Sequence, residues 1–333
     1  MRKNILWRGA LCALALTGVL TGALTGCGRG GAASSESGAG ALTLLTIGTA
    51  DSGGTMYQAG SAIAQVITQE DSSIKINISA SSGSNQNVRL LDSGEVDLAL
   101  VSGDVAYAAL HGERDFQSPV EGLRAIAAVY SSVSSWTVLD GSEAVYVHDL
   151  AGSTVGVGPA GSSTELSAQA AADALSLEEQ GTTLRTCGLG VGAELLKSGE
   201  IAALHGFTGI PIPSIEALSQ ETACRALLYT PEELAAILEE NPVYFSTQIP
   251  AGTYQGQTEA IDTFGVKCLL CVREDMDDEL AFQLARALWN AANRMEDYQP
   301  ALADMAEEGF MDQQLTIPLH PGAERFYMGL ADL

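Results

Sequence analysis

Short apolar runs rich in β-branched residues alternate with helical stretches from Leu42 almost to the end of the chain, and this alternation restricts the fold more than any single motif does. In the first half of the chain, strands are predicted at 42–47, 74–80, 96–101 and 125–129. Helices are predicted between them at 55–69, 85–93 and 105–110. Strand–helix–strand alternation of this kind is typical of an α/β domain with a largely parallel sheet.

A second series of the same kind follows after residue 150. Strands are predicted at 154–157, 183–186, 202–205 and 225–229, and helices at 164–174, 193–198, 212–218 and 231–240. A strand at 263–272 and a helix at 277–295 come last. Two series with a trailing strand and helix predict two α/β lobes between which the chain crosses more than once. One lobe is assigned to 42–135 and 250–333, and the other to 136–249.

The first 41 residues precede this fold. Residues 1–26 combine a basic start, a short apolar run and small residues, which is typical of a secretory signal. The tetrapeptide at 24–27, Leu-Thr-Gly-Cys, resembles a bacterial lipobox, and it predicts that Cys27 is lipidated as the first residue of the mature chain. An ordinary secretory signal with an incidental cysteine is the alternative. Residues 28–41 read as a Gly/Ser/Ala tether, so we predict an extracytoplasmic protein anchored to the cell membrane by lipid.

The charge of the chain argues against nucleic acid as a partner. Residues 1–26 hold three of the 16 basic residues and none of the 41 acidic ones, so the processed chain carries a formal charge of −28. Binding to nucleic acid normally needs a basic surface. A small anion is not excluded, because salt screens a diffuse field within about 8–10 Å and local N–H donors act at shorter range.

The four cysteines of the body leave the disulfide question open. They are Cys187, Cys224, Cys268 and Cys271, and export would permit disulfides between them without specifying a pairing. Cys268 and Cys271 have the spacing of a redox motif, but they lie in an apolar run that predicts a buried strand. Residues three apart on a strand point to opposite faces, so these two are interpreted as buried hydrophobic residues.

The first strand end has the glycine turn that often binds a phosphate. The stretch GTADSGGTMYQ places glycines at 48, 53 and 54, which does not match the G-x-G-x-x-G spacing of a dinucleotide loop. Ser52, Tyr57 and the N–H groups that open the helix after Gly54 instead predict a cradle for a small anion. A turn of purely structural use is the alternative.

Polar side chains also follow four later strands, where ligands of α/β proteins bind. Asp104 is interpreted as offsetting the dipole of its helix, and Glu165 as forming a capping box with Ser162. Aromatic residues at 57, 207 and 254 are expected to pack around the ligand. The candidate ligand-binding residues are Ser52, Gly54, Thr55, Met56, Tyr57, Ser81, Ser82, Ser84, Asn85, Ser102, Ser162, Ser163, Thr164, Phe207 and Tyr254.

Catalytic motifs are absent from the sequence. It contains no G-x-S-x-G, no H-x-x-x-H and no P-loop, and its four histidines, at 111, 148, 205 and 320, stand apart from one another. Hydroxyls, amides and backbone N–H groups are suited to holding a ligand. We therefore predict a binding protein that is not an enzyme and uses no cofactor or metal.

Five segments, in the same order from about residue 42 to residue 327, resemble the TAXI-type solute receptors of TRAP transporters. They are TIGTADSGGTMYQAGSAIA, SGSNQNVRLLDSGEVDLALVSGDVAYAAL, VGPAGSSTELSAQ, IPAGTYQGQTEAIDTFGVKCLL and IPLHPGAERFY. The resemblance implies a type II periplasmic-binding-protein fold, in which two α/β lobes close about a hinge over a ligand cleft. It also implies an ion-gradient-driven membrane permease as partner, and glutamate, 2-oxoglutarate or a similar organic anion as ligand.

The expected function is therefore capture of a glutamate-like amino acid or a dicarboxylate in the interlobe cleft, and its delivery to a TRAP permease. An ABC-type binding lipoprotein would share the fold, the anchor and the cleft, and remains the alternative. An enzyme on this fold would need a nucleophile–base pair or a metal cluster, and the sequence shows neither.

Two positions depart from the pattern of the TAXI receptors. Asp51 stands where they usually carry a small residue, and Ser102-Gly103 where they carry Gln-Ser. Asp51 would repel a carboxylate but could pair with an ammonium group, which favours an amino acid over a keto acid. Arg89 is interpreted as an ion-pair partner of Asp92 or Glu95 and not as a carboxylate clamp.

Overall fold

The structure is a computed structural model that describes residues 42–331. The predicted signal, Cys27 and the tether lie outside the described residues. The first elements are β1 (Thr43–Gly48), α1 (Thr55–Glu70), β2 (Ile74–Ser79), α2 (Ser84–Asp92), β3 (Leu98–Ser102) and α3 (Gly103–His111). They confirm the first three predicted strands and the three predicted helices, with boundaries that differ by no more than two residues.

The second series is β5 (Thr154–Gly156), α4 (Ser163–Ala174), β6 (Thr183–Arg185), α5 (Leu189–Ser198), β7 (Ala203–Thr208), α6 (Pro213–Glu221), β8 (Cys224–Ala226), and α7 (Pro231–Glu240). Helix α8 (Asp278–Ala291) ends four residues before its predicted end, and the chain continues as a 3₁₀ helix over Ala292–Asp297. Strand β9 (Phe245–Ile249) and helix α9 (Pro321–Ala331) were not predicted.

Two long strands, β4 (Leu123–Leu139) and β10 (Ile261–Arg273), run through the middle of the sheet. They pair with each other antiparallel, and the strand order is β2-β1-β3-β10-β4-β7-β5-β6, with β8 on β4 and β9 on β10. The expectation of a largely parallel sheet is therefore wrong. Among the strands of residues 42–331, the parallel pairs are those of β1 with β2 and β3 and of β5 with β6 and β7, whereas β10 and β4 pair antiparallel with all their neighbouring strands.

Strand β4 is 17 residues long, whereas the sequence predicted five. The second half of the strand was not predicted, because the serines of the run Ser131–Ser135 are typical of a polar loop. Three of them are nevertheless buried, and the strand pairs with β7 and β10 at this level. Hydrogen bonds between the strands thus satisfy the backbone N–H and C=O groups there, and the small serine side chains fit the crowded centre of the sheet.

Four apolar cores lie on the two faces of the sheet. One packs α1, α8 and α9 against the first half of the sheet, and a second packs α2 and α3 on its other face. The third contains residues of α4 and α7, and the fourth those of α5 and α6. Residue 135 lies inside β4 and residue 249 ends β9. The lobe boundaries placed there stay a prediction.

The body cysteines are all free thiols. Cys268 packs in the core beneath α1, and Cys271 in the core beneath α2 and α3, so the two lie on opposite faces of β10 as expected. Burial raises the pKa of the Cys268 thiol to about 12. Across residues 42–331, the structure shows no helix with both the length and the apolar composition to cross a membrane.

His205 on β7 is completely buried in the second half of the sheet. Its ring lies 4.4 Å from that of Trp136, and its Nε2 is 3.0 Å from Ser167 Oγ. Burial lowers the pKa of His205 from 6.5 to about 3, because no carboxylate compensates the loss of water around an imidazolium.

His205 should make the folded state less stable in mild acid. Below pH 6.5 the unfolded chain binds a proton that the folded chain excludes, so the free energy of unfolding falls as the pH falls. From pH 6.5 to 5 this loss is about 1.6 kcal/mol. Urea unfolding at pH 6.5 and at pH 5 should show that the free energy of unfolding of His205→Gln lacks this part of the pH dependence.

The matched control is His111→Gln, which changes an exposed histidine and should keep the wild-type dependence. Equal pH dependence in His205→Gln and the wild-type protein would contradict this explanation.

Candidate functional site

The N-terminus of α1 is one wall of the candidate site. Gly54 precedes the helix, no side chain caps it, and its first turn has no acidic residue. The N–H groups of a first helical turn have no partner within the helix, and the helix dipole makes this end positive. The wall therefore offers hydrogen-bond donors to an anion.

The N-terminus of α4 is a second wall. Ser162 Oγ accepts a hydrogen bond from Glu165 N at 3.2 Å, and Glu165 Oε2 accepts one from Gly161 N at 2.6 Å. This arrangement confirms the structural role expected for Glu165, although its carboxylate reaches one residue before the predicted partner. Ser163 and Thr164 are buried immediately beside the cap.

Between these walls lies a cavity of about 40 Å³. Such a volume holds about one water molecule, so the walls are nearly in contact. Its lining residues are Ala50, Asp51, Gly54, Met56, Ser82, Gly83, Pro159, Ser162, Ser163, Thr164, Leu189, Phe207 and Thr208. Seven of the predicted site residues are among them, drawn from four separate strand ends. The lining contains no basic side chain.

Other predicted site residues bind the backbone around the cavity. Thr55 Oγ1 donates to Gly209 O beyond β7, which links α1 to the second series. Ser81 Oγ donates to Thr49 O at 2.8 Å, and Ser84 Oγ accepts from Ser102 N at 3.0 Å. These side chains shape the site by fixing the turns that carry it.

Three predicted residues lie apart from the cavity. Ser52 is exposed and Tyr57 is half-buried, and neither lines it. Tyr254 OH accepts a hydrogen bond from Ile212 N at 3.0 Å, and its ring lines a separate cavity of about 500 Å³. The structure therefore does not bring Tyr254 to the candidate site.

Thr208 is a lining residue that the predicted set left out. It is 5% exposed, and its buried Oγ1, which lies near the Tyr130 hydroxyl, makes no hydrogen bond of normal length. The predicted strand ended at residue 205, whereas β7 continues to Thr208. With the correct strand end, the rule that ligands bind at carboxyl ends would have selected it.

Arg89 does not form the ion pair that the sequence suggested. Its Nη2 donates to Asp115 O at 3.2 Å, and its guanidinium lies 5.7 Å from the centre of the Phe116 ring. Within residues 42–331, no carboxylate lies within 4.0 Å of the guanidinium of Arg89. The prediction of a partner at Asp92 or Glu95 is wrong.

Asp51 contacts the opposite side of the cleft. Its Oδ1 accepts a hydrogen bond from Gly53 N at 3.2 Å, while Oδ2 lies so near Gly188 that a Cβ there would be 2.6 Å away. Gly188 precedes α5, which no side chain caps. The carboxylate therefore lies at the positive end of α5, where it is favourable.

The turn around Gly53 touches the first turn of α5 through backbone atoms. A Cβ on Gly53 would lie 2.7 Å from Gly190 N, which is closer than van der Waals contact allows. This closed approach therefore requires glycine at 53.

Gly53→Ala should hinder closure of the cleft without unfolding the protein. The added methyl group separates the two turns, and small-angle X-ray scattering should show a larger radius of gyration than for the wild-type protein. Gly141→Ala is the control, because a Cβ at Gly141 has no neighbour within 4 Å. An unchanged radius in Gly53→Ala would show that the contact does not limit closure.

Two solved structures share this fold at low sequence identity. A structure described as a periplasmic transporter matches with a TM-score of 0.56 and 12% identity, over 87% of this chain and 93% of that one. The ligand-binding component of an ABC-type import system from Staphylococcus aureus, with zinc bound, matches with a TM-score of 0.51 and 12% identity, over 85% and 84% of the two chains.

These similarities confirm the two-lobe periplasmic-binding-protein fold that the sequence suggested. A family model matches over residues 47–328, most of the described chain. On that match, the protein belongs to the NMT1-like family.

Proposed function

We propose that the protein is an extracytoplasmic receptor that binds a small organic anion, a glutamate-like amino acid or a dicarboxylate, between its lobes. The observation that carries the proposal is the buried, unpartnered hydroxyl of Thr208 beside the N-termini of α1 and α4. A carboxylate in this position would accept hydrogen bonds from N–H and O–H donors. Helix N-termini are established sites for such anions.

The absence of basic side chains from the cavity lining is compatible with an anionic ligand. Backbone N–H groups carry the positive partial charge, and exclusion of water strengthens each hydrogen bond to a carboxylate. Neutral donors also leave the ligand free to dissociate when the lobes open, since no buried ion pair has to be broken. Reversible capture of this kind suits a transport receptor.

A catalytic function has less support. Hydroxyl groups of Ser82, Ser162 and Ser163 line the cavity, but the lining holds no histidine or lysine to activate them as nucleophiles. No group of three or more possible metal ligands occurs among residues 42–331. Both structural neighbours named above are described as transport proteins.

Ligand binding tests the proposal directly. Isothermal titration calorimetry and thermal unfolding would be run with glutamate, aspartate, 2-oxoglutarate, succinate and, as a cationic comparison, arginine. At least one acid should bind and raise the melting temperature, because it binds only the folded state. Thr208→Val should weaken that binding about 10- to 100-fold, since a hydrogen bond to a charged group contributes about 1.5–3 kcal/mol.

Thr183→Val is the matched control, because Thr183 is exposed on β6 and outside the cavity lining. It should bind like the wild-type protein. Binding of none of the acids, or equal binding by the two threonine variants, would contradict the proposed site.

We further propose that the receptor is held at the membrane by lipid on Cys27 and delivers its ligand to a TRAP-type permease. The lipobox-like tetrapeptide and the resemblance to TAXI receptors support this assignment. An ABC-type permease is the second candidate, and it is favoured by the ABC importer among the structural neighbours.

Uptake into right-side-out membrane vesicles distinguishes the two permeases. With a TRAP permease, an imposed Na⁺ gradient should drive uptake of the acid identified above, whereas ATP dependence would support the ABC alternative. The Cys27→Ser receptor should wash off the vesicles and abolish uptake. Continued membrane attachment of this variant would contradict lipidation at Cys27.

A further inference from the structure

The N-termini of α2 and α3 adjoin each other beside the candidate site. Ser102 N, at the end of β3, donates a hydrogen bond to Ser84 Oγ at the start of α2. The residues next to this contact are completely or almost completely buried. Asn85 is 2% exposed, Ser102 is 0% exposed and Asp104 is 1% exposed.

Three buried oxygen atoms in this cluster lack hydrogen-bond partners. They are Asn85 Oδ1, Ser102 Oγ and Asp104 Oδ1. Native proteins rarely leave buried polar atoms unpaired, so such a cluster points to a ligand group that completes it.

The unpartnered atoms are mostly acceptors. The Asn85 amide nitrogen donates to Asp115 Oδ2 at 2.5 Å, and because a carboxylate only accepts, this contact assigns the nitrogen to Asp115 and leaves the amide oxygen without a partner. The carboxylate of Asp104 supplies a second acceptor, and the Ser102 hydroxyl can also accept. Their complement is a group rich in N–H donors.

The groups that approach Asp104 do so at its other oxygen. Tyr244 OH donates to Oδ2 at 2.9 Å, and Arg114 Nη1 lies 3.9 Å from Oδ2 with a third of its side chain exposed. Oδ1 has neither contact. A cationic donor group would therefore find this oxygen free.

The cluster lies beside the cavity between α1 and α4, although none of its three residues lines that cavity. Gly83 lines the cavity and directly precedes α2, and a Cβ on Gly161 would lie 3.6 Å from Asn85 Nδ2. Phe207 lines the cavity too, and its ring lies 5.6 Å from that of Tyr244, whose hydroxyl binds Asp104. A ligand larger than this cavity would therefore extend toward the cluster.

The other acid near the cavity has a different partner. Asp51 lies against Gly188 at the N-terminus of α5, where the helix dipole complements its charge. This contact removes the reason for assigning a cationic ligand group to Asp51.

The geometry points to an ammonium subsite formed by Asn85, Ser102 and Asp104, which makes the ligand a zwitterionic amino acid and not the corresponding keto or hydroxy acid. The inference rests on the proposed function, because it assumes that the ligand's carboxylate lies at the N-termini of α1 and α4. Asp104 becomes the residue that determines specificity.

Pairs of ligands that differ only at the α-substituent test this subsite. The probes are L-glutamate with 2-oxoglutarate, L-aspartate with L-malate and L-alanine with L-lactate, measured by calorimetry on the wild-type protein and on Asp104→Asn. In the pair that binds best, the wild-type protein should prefer the amino acid at least tenfold. Asp104→Asn should reduce this preference to about one, mainly by weakening amino-acid binding.

Asp173→Asn removes an equal charge from an exposed position on α4 and should keep the wild-type preference. Asp51→Asn is the competing variant: if it abolishes the preference while Asp104→Asn keeps it, the inference is overturned. If Asp104→Asn does not fold, the ratio of the wild-type affinities for the amino acid and its keto or hydroxy analogue decides the test. Asn85→Ser should lower this ratio.

Failure of this inference differs from failure of the proposed function. Binding of acids with no preference between amino acid and keto or hydroxy acid overturns the ammonium subsite but leaves the receptor function standing. If the protein binds none of the six probes and none of the acids tested under the proposed function, both are overturned.

Discussion

The pairing of β4 with β10 is the interaction on which the rest of the structure depends. Strand β3 ends at Ser102 opposite Cys268 of β10, and β7 ends at Thr208 opposite Val133 of β4. Val133 in turn faces Gly265, only three residues from Cys268 along β10. At about 3.3 Å per residue, the carboxyl ends of β3 and β7 thus meet within about 10 Å along the long strands. Because strands from the two halves of the chain end there, the helices that follow them present their N-termini to one cleft.

Close approach across this cleft depends on small residues. Gly53 and Gly190 meet through backbone atoms, and a Cβ on Gly83 would lie 3.2 Å from Ser162 Cβ. Side chains at these points would separate the walls and leave N–H donors in water, where a hydrogen bond to a carboxylate gains little. Gly188 is another such small residue, because it leaves room for the Asp51 carboxylate at the N-terminus of α5, which no side chain caps.

The sequence predicted the elements well where local signals agree, as in α1, which follows a glycine turn and buries one alanine-rich face. Prediction from the sequence failed where contacts between distant parts of the chain determine the secondary structure. The serine-rich run Ser131–Ser135 is the centre of a strand because it pairs with β7 and β10, and the Ser134 carbonyl also accepts a hydrogen bond from Thr263 Oγ1 at 2.8 Å. The site shows the same limit, because Ser81 and Ser82 look alike in sequence. Only the fold directs Ser81 to Thr49 O and places Ser82 in the cavity lining.

Four of the helix N-termini around the cleft, those of α1 to α4, differ in charge, and this difference can orient a ligand. The first turns of α1 and α2 hold no acidic residue, whereas that of α3 holds Asp104 and that of α4 holds Glu165. Glu165 is directed back to Gly161 N, so α4 keeps free donors at Ser163 and Thr164. Asp104 has an oxygen without a partner. A zwitterion aligned with its carboxylate toward α1 and α4 and its ammonium toward α3 would match the charges of these helix ends, while Asp51 is directed to the N-terminus of α5. The reversed orientation would place like charges together at both ends, so the arrangement selects one orientation without any basic side chain in the cavity lining.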